Sequence, residues 1–291
     1  MNIKEYDNAR AFLDDYEAVL LEQESVSQLV LYSAYHCCRN QVIDNAIFGA
    51  VLEEDNIQLL FCNVMPYNLV VYALKKDNLQ QACIFLADYF GENHLAMNGI
   101  NARFDVCQSF MEEIKKHQNY TFVEKLGMDI MEIREVNEIK PIEGSYRIAI
   151  PNEAKLVAEW IIEFQLEAKT SEMDYEAALL KAEQLIADGK VHFLECPEHE
   201  VVTMAVAGRK LAHGIAITYV FTPEEYRGKG YAAANIYYLS KELLEEGNKF
   251  CTIFVDKKNP LSFRAYEKVG YQVVEEIYEY KIALVQNIVT S

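Results

Sequence analysis

One stretch, residues 212–238, constrains the fold of this chain more than any other, because it combines the signals of a strand, a turn and a helix. From His213 to Phe221 it is rich in β-branched and aromatic residues, the composition of a buried strand. Thr222-Pro223 ends that strand, since proline has no N–H to donate to a neighbouring strand. Ala232–Leu244 is rich in alanine and leucine and favours a helix.

The turn between them has the chemistry of an anion site. Gly228 and Gly230 allow positive φ, so several backbone N–H groups can converge on one point. The turn leads into a helix start, where the first N–H donors lack partners and the helix dipole is positive. Arg227 and Lys229 add two cations. We therefore expect a diphosphate to bind here.

The same residues carry a family resemblance. Arg227, Gly230 and Ala232 form Arg-x-x-Gly-x-Ala, which resembles the pyrophosphate-binding signature of the GNAT superfamily of acetyl-CoA-dependent N-acetyltransferases. The preceding strand end resembles the one that leads into this signature. Downstream, residues 259–262, Tyr266 and Gly270-Tyr271 resemble its second half. The resemblance implies acetyl transfer from acetyl-CoA to a primary amine by direct attack, with no metal.

The resemblance also implies the site residues. Pantetheine would lie between the strand before the loop and the strand after its helix, with the N–H near Val220 polarising the thioester carbonyl. Tyr266 would protonate the departing thiolate. Phe263-Arg264 departs from related sequences and leaves the adenine side open. The residues expected to bind the cofactor are Tyr219, Val220, Phe221, Thr222, Arg227, Gly228, Lys229, Gly230, Tyr231, Ala232, Asn259 and Ser262.

Two other phosphate motifs fit less well. Residues 228–233 also match G-x-G-x-x-[G/A], the dinucleotide fingerprint, but in that fold the first glycine directly follows the strand. Here residues 223–227 intervene, and no acidic residue ends a strand at the expected spacing. A P-loop is excluded because no Ser or Thr follows Lys229. The acyl-CoA interpretation is therefore preferred.

Several residues have simpler structural interpretations that remain open at this point. Asn259 can stabilise the turn before proline, and Tyr266 can be a packed aromatic residue. The general base is not assigned; the formal candidates are Glu163, Glu167, Glu195 and His213. A zinc site at His192, Cys196 and His199 lacks a fourth ligand at metal spacing, so no metal is expected.

The hydrophobic pattern predicts two domains and an α+β (α/β-type sandwich) fold: a mixed, mostly antiparallel sheet flanked by helices. Residues 141–291 have the order α-α-β-β-β-α-β-α-β of a catalytic GNAT domain, and the polar segment 138–146 is the best linker. The pattern of residues 1–140 predicts a degenerate, CoA-free GNAT-like domain or another α/β accessory domain. There, the strands are expected at 47–52, 57–64, 69–74 and 96–99, with a helix capped by Asp77 and ended by Gly91.

In that first half, residues 97–101 are expected at the position of the phosphate loop, where they supply one glycine and no Arg-x-x-Gly-x-Gly. A non-catalytic acyl-CoA-binding sensor or interaction protein is the alternative to catalysis for the whole chain. The acceptor, a small-molecule or peptide amine, and the oligomeric state, monomer or homodimer, are not specified by the sequence.

The charge balance bears on partners. The chain has 27 Lys and Arg against 45 Asp and Glu, a net charge of −18, which argues against binding nucleic acid. Seven cysteines without a C-x-x-C pattern indicate a reducing compartment. No apolar leader or membrane-length apolar window is present, so no membrane association and a cytoplasmic location are expected.

Overall fold

The computed structural model describes residues 1–40, 46–75, 79–140, 142–170 and 173–283, and the chain divides into two compact units. The first unit is Met1–Met128 with Glu275–Ser291, and the second is Asp129–Val274. This division differs from the boundary at residue 140 expected from the linker composition. It differs because residues 129–140 belong to the second unit and the chain from residue 275 returns to the first.

The first unit alternates helices with short runs of strand. Its elements are β1 (Asn2–Tyr6), α1 (Ala9–Glu22), α2 (Glu24–Asn40), β2 (Ala46–Glu53), β3 (Asn56–Val64), β4 (Leu69–Ala73), α3 (Leu79–Glu92), β5 (Gly99–Ala102), α4 (Phe104–His117) and the first part of β6 (Thr121–Ile133), followed by the last part of β12 (Gln272–Ala283).

The sheet of this unit has the strand order β1-β2-β3-β4-β5-β12. Its neighbours pair antiparallel, except that β4 and β5 are parallel. Helices cover both faces, so β3 is apolar on both sides: Leu59 and Phe61 pack with α3 and α4, and Leu60 and Cys62 pack with α1 and α2. The meander predicted over residues 47–74 is therefore confirmed.

Two expectations for the first unit change, one strand is new, and one predicted cap is not tested. β1 was not predicted, because its polar sequence gives no strand pattern of its own. Gly91 does not end α3; it lies inside the helix, where an added Cβ would come 2.3 Å from His117 Cγ. The strand expected at 96–99 is Gly99–Ala102. The cap predicted at Asp77 lies outside the described residues.

The assignment of residues 97–101 to the phosphate-loop position is wrong for a topological reason. They lead into and form β5, the strand that lies parallel to β4. The segment that connects β4 to α3 is residues 74–78, and it contains no glycine. Residues 76–78 lie outside the described residues.

The second unit repeats this order of elements. Its elements are the last part of β6, then β7 (Ser145–Ile148), a 3₁₀ turn (Pro151–Glu153), α5 (Ala154–Ala168), α6 (Tyr175–Ala187), β8 (Val191–Glu195), β9 (Val201–Lys210), β10 (Gly214–Phe221), a 3₁₀ turn (Glu224–Tyr226), α7 (Tyr231–Glu245), β11 (Phe250–Asp256), α8 (Pro260–Val269) and the first part of β12.

Its sheet has the order β6-β11-β10-β9-β8-β7. β7, β8, β9 and β10 pair antiparallel, and β10 pairs with β11 in parallel. One face packs against α7 and α8, and the other against α5 and α6. Asp174 caps α6 by accepting a hydrogen bond from the Ala177 N–H at 2.8 Å. The predicted fold, a mostly antiparallel mixed sheet flanked by helices, is confirmed.

Each unit takes one sheet strand from a distant part of the chain. In the first unit, β5 pairs with β12 through Tyr278↔Ala102 and Lys281↔Gly99. In the second, β6 neighbours β11, and the Thr252 hydroxyl donates to the Met131 carbonyl at 3.0 Å. The last part of β12 therefore completes the sheet of the first unit, and the last part of β6 completes the sheet of the second.

None of the helices among the described residues is both long enough and apolar enough to cross a bilayer. The seven cysteines are all unpaired, and six of them are buried. A buried cysteine without a partner behaves as a small apolar residue, so these side chains contribute to packing.

Candidate functional site

A bulge in β10 is the first structural feature of the site. Thr218 is paired with Val206 and Phe221 with Met204, so β10 has one more residue than β9 between these two pairs. Tyr219 has φ 48, in the left-handed region that residues other than glycine seldom adopt. An extra residue with such a backbone conformation is a β-bulge, which bends the strand and redirects its side chains.

The bulge reverses the side-chain alternation of β10. Before it, Ile215 and Ile217 pack on the face covered by α7 and α8. After it, Tyr219 and Phe221 pack on the opposite face, against α5, although all four positions are odd-numbered. Val220 consequently packs in the cluster that contains α7 and α8.

Beyond this point β10 and β11 diverge. They pair in parallel from Gly214↔Phe250 to Ala216↔Thr252. Both strands continue, β10 to Phe221 and β11 to Asp256, without further pairing between them in the described residues. Among the described residues, the C-terminal ends of β10 and β11 therefore share no paired residues, and they lie at the position at which open α/β sheets bind ligands.

The glycine loop follows the end of β10. Gly228 has φ 76 and Gly230 has φ 87, conformations in which side chains are strained. Gly230 is also the N-cap of α7, and it offers no side chain to accept from the first N–H groups of the helix. A Cβ at Gly228 would meet no atom within 4 Å. A Cβ at Gly230 would lie 3.0 Å from Ile142 Cδ1, so the loop is open at Gly228, whereas the Ile142 side chain borders the N-cap of the helix.

The two cations of the loop have different surroundings. The Arg227 guanidinium donates to the Thr222 carbonyl at 2.8 Å and to the Glu167 carboxylate at 2.6 Å. Lys229 Nζ lies 5.4 Å from the centre of the Tyr226 ring, and Lys229 is exposed. Arg227 therefore holds α5 near the end of β10, whereas Lys229 lies at the surface of the loop.

Three more residues expected to bind the cofactor, Thr222, Tyr231 and Ala232, lie between the end of β10 and the first turn of α7. The Thr222 hydroxyl donates to the Thr203 hydroxyl at 2.8 Å, and Thr203 in turn donates to the Phe221 carbonyl at 2.8 Å. Tyr231 and Ala232 form the first turn of α7 and are half-buried. These bonds fix the backbone just before the loop.

Tyr266 lies in α8 and is 5% exposed, within the cluster that also contains Val220. Burial raises the pKa of Tyr266 to about 12, and a hydrogen bond with the Ser262 side chain opposes that rise. The phenol is therefore protonated at neutral pH. Tyr266 is thus a packed aromatic residue, the simpler of its two interpretations, and its role as an acid stays a prediction.

Asn259 caps α8. Its Oδ1 accepts from the Ser262 N–H at 3.1 Å, and Pro260 is the first residue of the helix. Asp256, at the end of β11, accepts from the Lys258 N–H at 2.8 Å and closes the same turn. The turn-stabilising role of Asn259 is thus observed, and Ser262 belongs to this helix start rather than to the loop at Gly228.

Two of the candidate general bases are bonded to arginines, and the zinc ligands considered from the sequence do not cluster among the described residues. Glu167 is paired with Arg227, and Glu195 accepts from Arg147 at 2.6 Å. Although burial acts to raise the pKa of Glu195, hydrogen bonds from Arg147 and Ser145 hold it below its usual range. The ligand atoms of His192, Cys196 and His199 form no metal-binding group among the described residues.

Sequence reasoning missed the aromatic residues of α5 that border the bulge. Phe164 packs edge-on against Tyr219 with ring centroids 5.4 Å apart, and Trp160 lies 5.7 Å from Phe221. Their i, i+4 spacing places both rings on one stripe of the helix, which was a usable signal. Their partners depend on the bulge, which leaves no local trace in the sequence.

Comparison with known proteins identifies the region that contains these features. Residues 154–271 match the family model described as the acetyltransferase (GNAT) family. These residues include the bulge, the divergent strand ends, the glycine loop and Tyr266. A search of curated protein sequences found no match.

Solved structures resemble the fold over most of the chain. An acetyltransferase of the GNAT family from Colwellia psychrerythraea aligns with a TM-score of 0.55 and 11% identity, covering 97% of this chain and 100% of that one. A Drosophila protein aligns with a TM-score of 0.60 and 11% identity, covering 97% and 98%. A GCN5-related N-acetyltransferase from Sphaerobacter thermophilus gives 0.57 and 17%, covering 86% and 85%.

Proposed function

We propose that this chain, whose residues 154–271 form a domain of the acetyltransferase (GNAT) family, transfers an acetyl group from acetyl-CoA to a primary amine. The observation that carries the proposal is the divergence of β10 and β11 directly beside a helix start whose loop is open at Gly228. A thioester cofactor with a diphosphate at one end suits this arrangement. The extended arm would lie between the unpaired strand ends, and the diphosphate fits the glycine loop.

The residues at the loop support diphosphate binding. The backbone of Gly228 and Gly230 turns with positive φ, which lets N–H groups converge, and α7 adds its own unpaired N–H groups and dipole. Lys229 supplies a positive charge at the surface of the loop. Arg227 can supply a second, although its guanidinium already donates to the Glu167 carboxylate. The pyrophosphate therefore competes with an internal ion pair.

The chemistry assigned to these strand ends uses two groups of this chain. Acetyl-CoA would supply an acetyl group activated as a thioester. The Val220 N–H, at the bulge, is the donor proposed to polarise the thioester carbonyl. Tyr266 packs in the same cluster as Val220 and retains its proton, so it is the proposed acid for the departing thiolate.

A non-catalytic acyl-CoA sensor is the second candidate, and the Arg227–Glu167 ion pair is the observation that favours it. If a CoA phosphate replaced Glu167 as the partner of Arg227, α5 would lose this contact with the end of β10. Such a change would suit a protein that senses the ligand by a movement of α5. The catalytic proposal predicts turnover, and the sensor predicts binding without turnover. The two candidates therefore separate in a single assay.

The test is release of CoA thiol from acetyl-CoA by the full-length chain across a panel of amines: small alkylamines, amino acids, aminoglycosides and peptide N-termini. The proposal predicts amine-dependent thiol release for at least one class, with the acetylated amine identified by mass spectrometry. Saturable acetyl-CoA binding without release from any amine would support the sensor instead. An absence of both binding and release would refute the site.

A further inference from the structure

The seam between α3 and α4 holds a cluster of metal-binding side chains that the acetyltransferase proposal does not use. Asp88 lies on α3, and Glu113 and His117 lie one turn apart on α4. One ligand atom from each residue lies within 4.8 Å of the other two. All three belong to the first unit.

The imidazole ring of His117 packs against the neighbouring helix, α3. Gly91 lies in α3 one turn after Asp88, and a Cβ there would be 2.3 Å from His117 Cγ. Gly91 is the next-to-last residue of α3, and its lack of a side chain lets the imidazole ring pack directly against the backbone of the helix. The same packing directs Nε2 to the Asp88 carboxylate at 2.7 Å.

The cluster also carries an excess of negative charge. Glu113 is paired with Lys116 at 2.6 Å, and Asp88, Glu112 and Glu113 all act electrostatically on that lysine. Asp88 and Glu113 together carry one more negative charge than Lys116 neutralises. A divalent cation at the seam would offset this charge, and it would replace the hydrogen bond between His117 Nε2 and Asp88.

We propose that Asp88, Glu113 and His117 bind a zinc-type divalent transition metal. One imidazole and two carboxylates form a ligand set that suits zinc, whereas calcium and magnesium prefer oxygen ligands alone. Ligand atoms that share one zinc ion lie roughly 3–4 Å apart, so small side-chain rotations suffice. With three protein ligands, water completes the coordination. The i, i+4 spacing of Glu113 and His117 brings two ligands to one side of α4.

The experiment titrates the metal-free full-length chain with Zn²⁺ by calorimetry and with Co²⁺ by visible absorption. The proposal predicts one Zn²⁺ per chain at this site and an increase in Tm on its addition, because only the folded chain holds the three ligands together. Asp88→Asn and His117→Gln should each weaken binding about ten-fold or more. Asp88→Asn keeps the shape of the side chain and a hydrogen-bonding atom beside His117.

Glu112→Gln is the matched control. Like Asp88→Asn it removes one negative charge, but from the exposed residue next to Glu113 on α4. It should leave the affinity within about two-fold, while the cobalt absorption seen with the original chain is lost in His117→Gln. Absence of Zn²⁺ binding at about 100 μM metal would overturn the proposal, leaving an ion pair that only joins two helices. Binding that survives both ligand variants would overturn it as well, by placing the metal elsewhere.

Discussion

Tyr219 adopts φ 48 and packs its ring edge-on against Phe164, with the ring centroids 5.4 Å apart. The contact gives the bulge in β10 an anchor on α5. It also explains how a tyrosine tolerates a backbone conformation that costs roughly 1–2 kcal/mol. Because the bulge turns Val220 toward the face that carries Tyr266, the local strain at Tyr219 has a direct consequence for the proposed reaction centre.

Two substitutions at Tyr219 separate the effect of its backbone conformation on the bulge from the effect of its ring contact with Phe164. Tyr219→Asn and Tyr219→Val both remove the ring contact with Phe164, but asparagine tolerates positive φ and valine does not. We expect the valine variant to be less stable than the asparagine variant by about 1–2 kcal/mol. It should also transfer acetyl groups more slowly. Urea unfolding followed by the fluorescence of Trp160, the only tryptophan, measures the first effect. Equal stability of the two variants would show that the bulge does not depend on this conformation.

Tyr266→Phe tests the proposed acid. Loss of the phenol should lower kcat by about 10²- to 10⁴-fold at neutral pH while leaving acetyl-CoA affinity unchanged. Tyr271→Phe is the matched control, because Tyr271 is a neighbouring buried tyrosine whose hydroxyl lies 2.8 Å from that of Ser240. It should cost about 1 kcal/mol of stability with little change in kcat. A similar kcat loss in both variants would assign the effect of Tyr266 to packing.

Glu167→Gln tests the competition at Arg227. Removing the carboxylate frees the guanidinium for phosphate, so the Kd for CoA should fall by about two- to five-fold, the scale of one exposed ion pair. Glu163→Gln, one turn earlier on α5, removes the same charge as a control and should change the Kd little. Weaker CoA binding in Glu167→Gln would mean that the ion pair positions Arg227 for the ligand instead of competing with it.

His192 should make stability depend on pH. Burial lowers the pKa of His192, and Glu242 opposes that shift; the Tyr146 hydroxyl lies 2.7 Å from Nδ1. An unfolded histidine has a pKa of about 6.5, so below that pH the unfolded chain binds the proton first. The free energy of unfolding should therefore fall as the pH drops below about 6.5. Urea unfolding of His192→Asn should show a shallower fall over this range, and an unchanged slope would contradict the assignment.

Local signals in the sequence were sufficient for the glycine loop and most strands. The positive φ at Gly228 and Gly230 follows from a strand, two glycines and a helix in succession. β3, Asn56–Val64, matches the strand expected at 57–64 to within one residue. In these segments the residue pattern and the tertiary structure favour the same conformation, so the pattern alone predicts the element.

Features that depend on distant partners were not visible in the same way. β1 forms because a polar segment pairs with β2, and Gly91 lies within a helix because its missing Cβ admits the His117 ring. The end of β12 belongs to the first unit because Tyr278 and its neighbours pair with β5. The bulge at Tyr219 is an interruption of register, which has no signature in composition. Each of these depends on a contact whose second member lies far away in the sequence.

The central claim is that the loop at the start of α7 binds the diphosphate of an acyl-CoA. Gly228 and Gly247 lie at opposite ends of α7, both have positive φ, and a Cβ at either would meet no atom within 4 Å. Gly228→Glu and Gly247→Glu therefore carry matched backbone strain and the same added charge. The most direct measurement is calorimetric titration of acetyl-CoA into the original chain and these two variants. We predict that Gly228→Glu abolishes binding while Gly247→Glu retains it within about three-fold; equal affinity in both variants would contradict the claim.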